Sequence, residues 1–87
     1  MSIEQSLRGE ADDVYGWSNG PNDRYPRHEH AYTKILYCVS GSIDFTLDDR
    51  VIRLAAGERM VLPAGTPHAA VVGPDGCACV EGKARRL

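Results

Sequence analysis

From Tyr25 onward the sequence is a succession of short β-type segments separated by Gly and Pro turns, and that punctuation leaves few folds open. Residues 42–48, SIDFTLD, alternate strictly: Ile43, Phe45 and Leu47 fall on one side, Asp44, Thr46 and Asp48 on the other. A period of two describes a strand with one buried and one wet face. Before it, KILYCVS (34–40) is rich in β-formers with no helical period, and SG (40–41) breaks it. After it, DDR (48–50) reads as a turn, VIRL (51–54) as a strand and AAGE (55–58) as a turn. RMVLP (59–63) is a strand ended by its proline, AGT (64–66) a turn, PHAAVVG (67–73) a strand, PDG (74–76) a turn and CACVEGK (77–83) the last strand. Short strands at near-regular spacing predict an all-β sandwich or barrel. Upstream, Ser2 with Gln5 forms a capping-box pattern and Ile3 and Leu7 lie four apart, which predicts a short helix over about residues 2–10. GWSNGPND (16–23) predicts a loop.

Eighty-seven residues make a single domain, 1–87, that buries roughly 60–65% of its unfolded surface. A net charge of −2 lacks the basic surplus of a nucleic-acid binder, and Lys83, Arg85 and Arg86 read as a solvated tail. No apolar run approaches the ~18 residues a membrane span needs, and the acidic N-terminal stretch has no signal-peptide core, so a cytoplasmic location is expected. The odd cysteine count fits that compartment. Cys77 and Cys79 sit two apart on one strand and point the same way, which suits a disulfide poorly and buried inert thiols better.

The chain has three histidines, and their placement is the main chemical signal. On a strand, His28 and His30 share a face with Cα atoms about 6.6–7 Å apart, so both rings can converge on one ion. His68 follows the turn PAGTP, which fixes how its strand starts and where it points.

These residues resemble the two motifs of the cupins. The first has H-x-H, three or four residues, a glutamate, six residues and a glycine; this chain has His28-x-His30, three residues, Lys34, six residues and Gly41. The second is G-x5-P-x-G-x2-H followed by x3-N; here Gly57, Pro63, Gly65 and His68 match in full spacing. Three positions depart: Lys34 stands at the glutamate, Val72 at the asparagine, and the opening glycine falls at Gly20. The resemblance implies an all-β, double-stranded β-barrel of the cupin or jelly-roll type, with barrel motifs over about residues 24–82. It also implies a divalent metal (Zn, Fe, Ni, Mn or Cu) held by His28, His30 and His68. Lys34 takes the glutamate's place without its lone pairs, because an ammonium offers only donors.

Three neutral imidazoles still make a competent site. Glu81 shares a face with Cys77 and Cys79, and if that face points inward it either pairs with Lys34 or replaces the missing carboxylate. Cys38 shares strand parity with Lys34 and Leu36 and reads as core filler or a pocket thiol. Tyr32 and Tyr37 line either the cavity or the surface, and Tyr15 and Trp17 are expected over a barrel edge or a dimer interface. Two functional classes stand open. One is a metal-binding cupin with a small-molecule pocket, enzymatic or not; the other is a metal-free sensor or binding module. A third reading makes Lys34 an amine nucleophile. A homodimer is expected, with no nucleic-acid or membrane partner.

Overall fold

The computed structural model describes residues 2–85. A capping box at Ser2 and Gln5 starts helix α1 (Ile3–Arg8), as its sequence predicts: the Ser2 hydroxyl accepts from the Gln5 backbone and the Gln5 side chain accepts from the Ser2 backbone. Six strands follow: β1 (Ala11–Asn19), β2 (Arg24–His28), β3 (Lys34–Leu47), β4 (Val51–Ala55), β5 (Arg59–Leu62) and β6 (His68–Ala84).

The architecture depends on β3 and β6, each long enough to serve two layers. Lys34–Cys38 of β3 pairs with Cys79–Lys83 of β6 and with β5, and β1 pairs with the same half of β6. Ile43–Leu47 of β3 pairs with His68–Val72 of β6 and with β4, and β2 adds to that half of β6. The pairing gives layers β1-β6-β3-β5 and β2-β6-β3-β4, joined where both long strands cross. The ladder does not close on itself; the layers face one another across a core containing Leu36, Ile43, Phe45, Leu54, Met60 and Val72. The alternation of SIDFTLD is kept: Ile43 and Phe45 are buried in this core, and Asp44 faces out to an ion pair with Arg53.

At the crossing the structure departs from the sequence reading. SG (40–41) and PDG (74–76) do not end strands; they bend them. Gly41 pairs with Cys77 and Ile43 with Val72, so residues 73–76 bulge opposite the single residue Ser42. Gly41 has φ +73° and Gly76 φ +77°. A Cβ on Gly41 would lie 2.0 Å from the Gly76 carbonyl oxygen, so no side chain fits at this crossing.

The loop expected over 16–23 is shorter, because β1 runs on to Asn19. The register of β1 slips between Asp12 and Tyr15, with Asp13 at φ +53°, and the slip turns Tyr15 and Trp17 toward Glu81 and Cys79 of β6. On the far side of this layer, α1 places Leu7, fully buried, against Ala11 and Ile35. No helix among the described residues is long and apolar enough to cross a membrane.

Candidate metal centre

β2 and β6 pair His28 directly with His68, which brings the two rings to a centroid distance of 4.3 Å. His30 lies just beyond the end of β2 rather than within the strand, yet its ring centroid is 4.9 Å from that of His28 and 5.3 Å from that of His68. The turn of the second motif holds it there. Gly65, at φ +76°, donates its backbone N–H to the His30 carbonyl at 2.8 Å, and the Ala64 N–H reaches the Thr33 hydroxyl at 3.1 Å. The turn that aims His68 thus also fixes the segment carrying His30. One nitrogen from each ring lies within 4.8 Å of the others, a grouping that could hold a metal ion.

The ring orientations bear on that capacity. His28 Nδ1 donates to the Pro26 carbonyl at 2.6 Å, and His68 Nδ1 donates to the Thr66 carbonyl at 2.9 Å. A carbonyl only accepts, so the proton of each neutral ring sits on Nδ1 and the Nε2 lone pair is left for another partner. This backbone buttress is the arrangement typical of metal-ligating histidine. Burial holds the His68 imidazole below its ordinary pKa, more than its bond to Thr66 raises it, and the charges of His28 and Lys34 add to the lowering. His30 is lowered by burial first and by Lys34 next. Both rings therefore favour the neutral form that a metal requires.

His30 differs from the other two. The Lys34 ammonium donates to His30 Nε2 at 3.2 Å and forms an ion pair with Glu81 Oε2, also at 3.2 Å. The other Glu81 oxygen, Oε1, accepts from the Trp17 indole N–H at 2.7 Å. Lys34 and Glu81 are 8% and 3% exposed, so a charged pair spans the interior beside the histidines. The pairing register explains it: Glu81 stands opposite Tyr15 on β1 and Leu36 on β3, and Trp17 and Lys34 reach it from diagonal positions on either side. The donor set fits a divalent ion at His28 and His68 as they stand. It fits at His30 once Lys34 yields the Nε2 lone pair. Glu81, with both oxygens engaged, is the counter-ion of Lys34 here.

These groups line a cavity of about 300 Å³, with Trp17, Tyr25 and Phe45 among its aromatic walls. Tyr15 and Trp17, expected over a barrel edge or a dimer interface, line it as well. The Tyr15 phenol, turned inward from a half-exposed ring, is pushed up to about 12 by burial and then by the Glu81 charge. The Tyr25 hydroxyl donates to Asn19 Oδ1. Of the two undecided tyrosines, Tyr32 stacks beside the His30 ring at 5.2 Å, whereas Tyr37 donates to Glu10 beside α1, away from the cavity.

Cys38 keeps the inward parity expected of it but lies outside the cavity lining. Two residues further from the histidines than Leu36, it sits in the closed core with Cys77 and Cys79 and turns its thiol onto the Ser40 carbonyl. Burial pushes all three thiols up, which keeps them protonated, and none is in a disulfide.

Residues 17–80 match the Cupin domain family, and the chain belongs to it. The structure is similar to that of KdgF from Halomonas sp., at 27% identity and TM-score 0.69, over 84% of this chain and 68% of that one. It also resembles a cupin-2 domain containing protein from Shewanella frigidimarina, at 25% identity and TM-score 0.69, over 87% of this chain and 74% of that one. The polyketide cyclase RemF from Streptomyces resistomycificus is 28% identical with TM-score 0.71, over 84% of this chain and 54% of that enzyme. This chain therefore spans about half of RemF's length. No curated protein matches.

Proposed function

We propose that this chain is a metal-binding cupin in which His28, His30 and His68 hold one divalent ion at the wall of a small-molecule pocket. The observation that carries the reading is the pair of backbone-buttressed rings: His28 and His68 each commit Nδ1 to a backbone carbonyl, and one nitrogen from each of His28, His30 and His68 lies within 4.8 Å of the others. An ion held by neutral imidazoles would polarise an oxygen of a bound water or ligand. The chain's own residues do the rest. Pro26 and Thr66 carbonyls fix the tautomers of two rings. Trp17, Tyr25 and Phe45 give the pocket aromatic walls, and Glu81, anchored by Trp17, holds Lys34 in place. Similarity to a polyketide cyclase places an enzyme among the structural relatives, and the pocket supplies space for a substrate.

Elemental analysis of protein purified without chelator tests the reading. About one divalent metal per chain is expected, falling to well below half in His68→Ala. A second reading is favoured by Lys34, whose ammonium already occupies the His30 lone pair: the pocket then binds its small molecule without metal. Metal-free protein from the same preparation, with His68→Ala no different, would select that second reading.

A further inference from the structure

The Lys34 ammonium has three N–H donors, and two have protein partners among the described residues: Glu81 Oε2 and His30 Nε2, each at 3.2 Å. The third has none, and Lys34 lines the cavity. The lone pair of His30 Nε2 can serve Lys34 or an ion, but not both. An ion that took it would release a second Lys34 donor beside the cavity. It would also raise the local positive charge, which Glu81 alone offsets among the carboxylates lining the cavity. Among the described residues no arginine lines the cavity, so the donors suit an anion of two oxygens better than the three of a phosphate. The cavity is also lined by Trp17, Tyr25, Phe45, Leu36 and Ile43, which suit an apolar, planar body.

We infer that Lys34 is the anchor for the carboxylate of a small apolar monocarboxylic acid, and that metal and carboxylate bind with positive coupling because the metal frees Lys34 from His30. This rests on the metal-binding reading above. It assigns Lys34 a role that the glutamate it replaces could not fill, since a carboxylate there would repel the ligand. By linkage, whatever the metal does to carboxylate affinity, the carboxylate does to metal affinity.

The test is calorimetric, with Zn²⁺ and benzoate as probes on chelator-stripped protein, and with benzyl alcohol as the uncharged control. Zn²⁺ titrated in saturating benzoate should bind about tenfold more tightly than in its absence. Benzyl alcohol should produce no such gain. The variant that removes the anchor is the double substitution Lys34→Met with Glu81→Gln, which leaves no unpaired buried charge. It should bind Zn²⁺ at least as well as wild type, having lost the competitor for His30, and should show no benzoate coupling. Zn²⁺ binding without benzoate coupling in wild type overturns the inference and leaves the metal site standing. Coupling that persists in the double variant, or appears equally with benzyl alcohol, also overturns it. Absence of Zn²⁺ binding overturns both this inference and the reading on which it rests.

Discussion

Replacing Lys34 by methionine should remove a large share of the protein's stability, whereas replacing Lys34 and Glu81 together should not. The reason is the pair's position. Lys34 Nζ and Glu81 Oε2 are 3.2 Å apart, with side chains only 11% and 4% exposed. Lys34→Met fills most of the same space but leaves the Glu81 carboxylate buried with no cation beside it, only the neutral donors of Trp17 and Tyr15. Removing one member of a buried pair costs about 3–5 kcal/mol, mostly the desolvation of the survivor. A domain of this length has a total stability of about 4–13 kcal/mol, so the loss is a large share of it. In the double variant Lys34→Met with Glu81→Gln, the amide oxygen still accepts from Trp17 and no charge remains buried. Its stability should fall within about 1.5 kcal/mol of wild type. Urea denaturation of the three metal-free proteins, followed by Trp17 fluorescence, measures the difference. A Lys34→Met variant within about 1 kcal/mol of wild type, or a double variant no better than the single, would refute the argument that this pair is buried and mutually dependent.

Other expectations follow from the same geometry. Gly41→Ala puts a methyl group 2.0 Å from the Gly76 carbonyl oxygen at positive φ, so it should lower stability by more than about 2 kcal/mol, whereas Gly57→Ala, with open space around it, should cost about 1 kcal/mol, again by urea denaturation. His30 and His68 have folded pKa values below the usual 6.5, so the unfolded chain binds protons more readily. Their contribution is present above about pH 6.5 and is lost as pH falls from there through the lowered folded values. The Tm of metal-free protein should therefore drop between pH 7 and pH 5, and His68→Gln should show a shallower drop. Glu10, lowered by its bond to Arg59, acts only at lower pH and does not confuse this window. Val51 and Val61 are exposed on the edge strands β4 and β5, and light scattering should give a mass twice the 9.5 kDa of one chain; a monomer at high micromolar concentration would contradict the dimer.

Much of this arrangement could be read before any coordinates. The alternation of residues 42–48 gave the buried face of β3 directly, because a half-buried strand has period two. The motif spacing anticipated that His28, His30 and His68 come together, although His30 lies beyond the end of β2 and is held by the glycine turn instead of a shared strand face. Glu81 was legible as a conditional, since its orientation depended on whether the Cys79 face pointed inward. What stayed hidden was long-range. Gly41 and Pro74 look like strand ends locally, yet here they are bends in strands that continue, and only the pairing of β3 with β6 decides which. The sequence allows Tyr15 and Trp17 a barrel edge or a dimer interface; they stand on the edge strand β1 yet line the cavity, because of the slip at Asp13, which has no reliable sequence signature. Their inward parity follows from that slip and from pairing with residues some sixty positions away. The parity of Cys38 left core filler and pocket thiol both open; it is core filler, and that depth is what alternation cannot report.

Calorimetric titration of chelator-stripped wild type and His28→Ala with Zn²⁺ tests the central claim most directly. Three converging imidazoles predict one site per chain in wild type and a loss of affinity of at least tenfold in His28→Ala, with far-ultraviolet circular dichroism showing both proteins folded. A wild type that takes up no ion, or a His28→Ala variant that binds as tightly as wild type, would contradict the account.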